Sequence, residues 1–87
     1  MIRESIKITA SDGLHARPAA TLVKLCSQLN SDIHIIYNGN TCNAKSMMAV
    51  LKMGIKKDAQ IEFEVSGGEE NNKMKIVMET IRSTINH

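Results

Sequence analysis

Asp32-Ile33-His34-Ile35-Ile36-Tyr37-Asn38-Gly39-Asn40-Thr41-Cys42-Asn43 reads as two strands joined by a tight turn. Isoleucines, β-branched and suited to a pleated surface, crowd the stretch from Asp32 to Tyr37. Asn38-Gly39 is the pair that a two-residue type I′ hairpin turn prefers, and the chain returns through Asn40 to Asn43. A hairpin this short is not stable alone, so the flanking segments must supply what it packs against.

Upstream, Ala19, Leu22, Val23 and Cys26 recur at i, i+3, i+4 and i+7, which predicts an amphipathic helix from about Ala16 to Ser27 with Arg17 and Lys24 on its polar face. Ahead of it, Ile2, Glu4, Ile6 and Ile8 occupy alternate positions, as in a strand with one buried face, and Ser11-Asp12-Gly13 breaks the pattern. Downstream, Ser46 is placed to cap a short helix from Met47 to Met53, with Gly54 ending it in a left-handed conformation. Ile61, Phe63 and Val65 alternate with Glu62 and Glu64 in a last strand, which Gly67-Gly68 closes. Met74, Val77, Met78, Ile81 and Ile85 form the apolar stripe of a final helix, and Glu69 and Glu70 stand where a helix N-terminus favours negative charge.

The order is β-α-β-β-α-β-α. Four amphipathic strands and two long one-sided helices are best satisfied by an antiparallel sheet with the helices on one face, an α+β open-faced sandwich. With 87 residues, no repeat, no low-complexity tract and no linker, residues 1–87 are expected to form a single domain. No apolar run is long enough to span a bilayer and no secretory signal pattern is visible, so a cytoplasmic location is the default. Eleven Lys and Arg against nine Asp and Glu leave a net charge of +2, and Tyr37 and Phe63 are the only aromatics, which argues against a nucleic-acid surface. Cys26 and Cys42 allow at most one disulfide and are expected to be reduced core or near-surface thiols. His15, His34 and His87 show with them no zinc-like spacing, so neither a metal nor another cofactor is expected.

The chemistry concentrates at His15, between the Ser11-Asp12-Gly13 loop and the first helix, with Pro18 in the first turn where a missing N–H costs nothing. Backbone N–H groups at a helix N-terminus have no intrahelical partners and the macrodipole is positive there, so an anion on His15 finds donors in place. Arg17 adds a fixed cation with forked donors. Imidazole loses its proton near neutrality, and a neutral ring nitrogen can attack a phosphoryl group. The loop holds no second histidine and no paired carboxylates to activate water, so the site suits holding phosphate for transfer.

Gly13-Leu14-His15-Ala16-Arg17-Pro18-Ala19-Ala20 resembles the active-site signature of HPr, the histidine-containing phosphocarrier family of the bacterial phosphotransferase system, and the likeness extends over essentially the whole chain. The resemblance implies that His15 receives phosphate on Nδ1 from phosphorylated enzyme I, itself charged by phosphoenolpyruvate, and passes it to enzyme IIA domains during sugar uptake. Arg17 would steady the phosphate. Asp12 departs from the neutral residue of many relatives: its carboxylate either repels the phosphate or accepts backbone N–H bonds at the turn.

Asn43-Ala44-Lys45-Ser46-Met47-Met48, continuing to Gly54, resembles the regulatory serine segment of HPr from low-GC Gram-positive bacteria. It implies phosphorylation of Ser46 by HPr kinase/phosphorylase and recognition by catabolite control protein A, whereas Ser46 as a plain N-cap is the competing explanation. Ala44 and Met47 stand where such relatives often carry larger or branched aliphatics. The short helix cannot bury both faces, so at least Met47 is expected to be exposed, and Lys24, Met47, Met48 and Leu51 form the expected docking set. Lys45 and Lys52 extend a basic surface able to steer acidic partners.

Two other classes compete. A Crh-like regulatory module working only through phospho-Ser46 would lack the active-site histidine, and His15 and Arg17 are both present. An enzyme passing through phosphohistidine would need a general acid and a substrate pocket, neither of which is visible. A monomeric carrier, not an enzyme, is the expectation.

Overall fold

A computed structural model describes residues 1–86; His87 lies outside the described residues. The elements are β1 (Ile2–Lys7), α1 (Ala16–Gln28), β2 (Asp32–Tyr37), β3 (Asn40–Asn43), α2 (Met47–Lys52), β4 (Gln60–Ser66) and α3 (Glu70–Thr80). A π-helical turn, Ile81–Ile85, continues α3, and the Asn86 N–H donates to the Ile81 carbonyl at 2.7 Å. The order and character of the elements match the sequence reading, and helix boundaries differ by a residue.

The sheet runs β1-β4-β2-β3, antiparallel throughout. The β2–β3 turn is the one its sequence requires, with φ of 53° at Asn38 and 81° at Gly39. Because side chains alternate along a strand, register decides what is buried. Ile33 opposes Val65 and Ile35 opposes Phe63 across β2 and β4, while Ile6 opposes Ile61 across β1 and β4. All six are buried on the helix-facing side. The opposite face carries Arg3, Glu64 and His34 in one cross-strand row, with Arg3 Nε donating to Glu64 Oε2 at 2.7 Å.

Ala19, Leu22 and Cys26 of α1 and Met74, Val77 and Met78 of α3 close over the inner face, with Ile81 and Ile85 extending the seam through the π-helical turn. Val23, expected in the same stripe, lies at its edge and is half-buried. Short α2 inserts only Val50 fully and leans on α1 and β3. Both cysteines are free: Cys26 is in the core, where burial pushes its thiol up to about 12 against the opposing charge of Lys45, and half-buried Cys42 is raised by the same cause. No helix among the described residues is long and apolar enough to cross a membrane.

Two ties place the chain around α1. Leu14, buried beside the helix, donates its N–H to the Ile55 carbonyl at 3.0 Å. Asn86 spans the exit of β1, accepting from the Thr9 N–H at 2.8 Å and donating to the Lys7 carbonyl at 2.7 Å. The loop between β1 and α1 is therefore held at both ends, and His15 stands where it meets the helix.

Candidate functional site

Gly13 makes the position of His15 possible. Its N–H closes a tight turn onto the Ala10 carbonyl at 2.9 Å, and its φ is +67°. A Cβ there would lie 2.3 Å from the Ile55 carbonyl oxygen and 2.7 Å from the Lys56 Cα, so only glycine lets the loop backbone lie so close to residues 55–56. With Gly13 pressed down and Leu14 buried, the next residue turns outward into solvent.

His15 is the N-cap of α1, with extended backbone (φ −78°, ψ −170°) and no capping bond from its side chain. Its carbonyl accepts the Ala19 N–H at 2.9 Å. Pro18 has no N–H to offer, so the unpaired donors of the first turn are those of Ala16 and Arg17. The imidazole is about half exposed, at 51%. Exposed Arg17 has no carboxylate within ion-pairing distance among the described residues, which leaves its guanidinium available to an anion. Asp12, His15, Arg17 and Pro18 face Thr84 and Ile85 across an open cleft of about 210 Å³. A group bound there meets two backbone donors and one cation while staying accessible to a second protein.

Asp12 does not serve the turn. Among the described residues no backbone N–H donates to its carboxylate; Oδ2 lies instead 3.9 Å from His15 Nε2. The turn is closed by the Gly13–Ala10 backbone bond, which leaves the Asp12 side chain free to face the imidazole. Of the two expectations for this residue, the electrostatic one has the geometry.

At the head of α2, Ser46 is an N-cap whose Oγ accepts the Ala49 N–H at 3.3 Å. The exposure expected of Met47 is not found: it is half-buried against the core, whereas Met48 is 69% and Leu51 39% exposed. The reason is helical phase. Met47 and Val50 are one turn apart on the face turned toward α1 and β3, and positions 48, 51 and 52 look outward. Ala44 is likewise a core residue, fully buried and donating its N–H to the Ile33 carbonyl at 2.9 Å. Lys24 and Lys52 are exposed, but the Lys45 ammonium donates to the Leu29 carbonyl at 2.9 Å and so caps α1 at its C-terminal end.

Sequence reasoning missed the far wall of the cleft, Thr84 and Ile85, and the Asn86 clasp that sets it. Nothing local marks these residues; they reach the site only because α3 lies along β1. The close approach at Gly13 had one available signal, a glycine directly before an apolar residue in an otherwise polar loop. No three His, Cys, Asp or Glu side chains come together among the described residues, and His34 lies on the opposite face of the sheet from the helices.

The model of the family described as PTS HPr component phosphorylation site matches residues 2–85. The phosphocarrier protein HPr of Buchnera aphidicola subsp. Schizaphis graminum is 43% identical over 75 residues, covering 86% of this chain and 88% of that protein. HPr-C-His from Thermoanaerobacter tengcongensis superposes with a TM-score of 0.93 at 30% identity, covering 100% of this chain and 98% of that one. The Mycoplasma histidine-containing phosphocarrier protein superposes with a TM-score of 0.91 at 36% identity over 97% and 96% of the two chains. A family match over nearly the entire length, joined to a histidine standing free at a helix N-terminus, makes this chain a member of the HPr family of phosphocarriers of the phosphotransferase system.

Proposed function

We propose that His15 is the residue that carries the phosphate, taking it on Nδ1 from phosphorylated enzyme I and yielding it to enzyme IIA domains. The single observation that supports this best is the open helix start: an exposed N-cap imidazole and, among the described residues, two first-turn N–H groups without acceptors and an Arg17 guanidinium without a partner. A phosphoryl group on the ring satisfies all three at once. The N–P bond is labile, and among the described residues the cleft offers no pair of carboxylates to activate water, so the group is kept for transfer. The role is that of a carrier, substrate of other enzymes rather than an enzyme.

The test is incubation with enzyme I and phosphoenolpyruvate, with intact mass read before and after mild acid. One acid-labile phosphate on the wild type, absent from His15→Ala, is the expected result. Labelling that survives in His15→Ala removes the proposal.

A second, regulatory reading rests on Ser46. Its Oγ already accepts a helix N–H, so a phosphate there puts negative charge at the positive end of α2 without disturbing the cap. The added charge, about −1.5 to −2 at neutral pH, lies beside exposed Met48 and Leu51, with Lys24 and Lys52 also on the surface. These side chains are proposed as the docking surface for enzyme I and enzyme IIA, and the phosphoserine as the mark that HPr kinase/phosphorylase writes and catabolite control protein A reads. Ser46→Asp is expected to slow labelling of His15 by enzyme I while leaving the fold intact; an unchanged rate counts against the regulatory reading.

A further inference from the structure

We infer that Asp12 is a positioning residue that holds the proton of the neutral His15 ring on Nε2 and so leaves Nδ1 as the nucleophile. The inference rests on the reading of His15 as the phosphate-bearing residue and assigns the two ring nitrogens their roles.

The geometry is specific to one nitrogen. Asp12 Oδ2 is 3.9 Å from Nε2, too far for a formed hydrogen bond and close enough for charge to act. Nothing competes for this carboxylate: it accepts no backbone N–H among the described residues, and it is 75% exposed. The loop that carries it is fixed on one side by the Gly13 contact with residues 55–56 and on the other by the Asn86 clasp. The charged groups lining the cleft with His15 are Asp12 and Arg17, one of each sign.

A neutral imidazole has its proton on one nitrogen or the other, and a carboxylate facing one of them favours the proton there. With the proton on Nε2, the Nδ1 lone pair attacks phosphorus and the N–P bond forms. The bond from phosphorus to the donor's leaving atom breaks, its electron pair staying on the donor. Nε2 keeps its proton throughout, so the phosphorylated ring is cationic and faces the Asp12 carboxylate. On onward transfer the N–P pair returns to Nδ1 and the ring is neutral again, with no proton moved. Arg17 answers the charge of the phosphate and Asp12 that of the ring. The same carboxylate opposes a phosphate dianion on Nε2, which reinforces the choice of nitrogen. Both side chains are well exposed, so salt screens the effect.

Asp12→Asn keeps the shape and removes the charge. In the unphosphorylated protein, ¹⁵N NMR of neutral His15 should show the ratio of Nε2–H to Nδ1–H tautomer falling about two- to fivefold at low ionic strength, the range of an exposed ion pair, with Asp12→Glu restoring much of it. After labelling, the variant should lose phosphate faster by a similar factor, because the ring whose positive charge Asp12 answers becomes neutral on loss, and the difference should shrink at high salt. Identical tautomer ratios in wild type and Asp12→Asn overturn the inference. A wild type that takes no acid-labile phosphate overturns the carrier reading instead, and the tautomer comparison still decides the role of Asp12.

Discussion

The helices α1 and α2 open in opposite ways. Ser46 and His15 are both N-caps with extended backbone, but Ser46 satisfies its own helix, its Oγ taking the Ala49 N–H, while His15 makes no capping bond. At α2 the cap is closed and the side chain serves stability. At α1 the cap is open: Pro18 removes one donor, and Ala16 and Arg17 hold out the other two. A helix of 13 residues packed through Ala19, Leu22 and Cys26 tolerates an unsatisfied first turn that a helix of 6 residues does not. Long-range packing thus leaves the first-turn donors of α1 open.

The sharpest test of that contrast compares two glycines with positive φ, Gly13 just before His15 and Gly54 just after α2. Gly13→Ala meets the Ile55 carbonyl as well as an unfavourable φ, and should cost roughly 2–4 kcal/mol in a urea titration and displace His15. Gly54→Ala meets open space at φ +62° and should cost only about 1 kcal/mol. Equal costs would mean that the loop before His15 is not held by residues 55–56.

Next come the caps themselves. Ser46→Ala should lower stability by about 1 kcal/mol through loss of its helix bond. His15→Ala should change it by less than about 0.5 kcal/mol while abolishing labelling, because its side chain caps nothing. A His15→Ala variant as destabilised as Ser46→Ala would break the comparison between open and closed caps.

Lys45 joins the two regions, since it precedes Ser46 and caps the far end of α1. Lys45→Met should cost about 0.5 kcal/mol in thermal unfolding, with the difference reduced by salt. No change would leave the Leu29 carbonyl to water. The smallest effect concerns the cysteines: alkylation of the native protein at mildly alkaline pH should modify Cys42 ahead of Cys26, whose thiolate is disfavoured up to about 12 by full burial. Reversed order would show that the core near α1 opens more readily than the sheet edge.

Most of the architecture was legible along the chain because its signals are local. Asn38-Gly39 specifies its turn through φ alone, alternation in Ile61, Phe63 and Val65 specifies a half-buried strand, and Ser46 before an apolar run specifies a cap. Helical spacing was equally local, yet Met47 was misjudged. Which face of a two-turn helix is buried depends on how α1 and β3 meet it, and six residues carry too little periodicity to say.

By itself the amino-acid sequence determined the order of elements, the one-sided helices and the placing of a histidine, an arginine and a proline at a helix start, since each follows from spacing of a few residues. Only the tertiary structure decided that Asp12 faces Nε2 rather than the turn, that Thr84 and Ile85 close the cleft, that Lys45 is committed to Leu29, and that Met48 rather than Met47 meets solvent. The first two depend on distant contacts, Gly13 against residues 55–56 and Asn86 against the end of β1, and the last two on how α2 and its leading turn pack on α1 and β3; none of these contacts leaves a periodic trace along the chain.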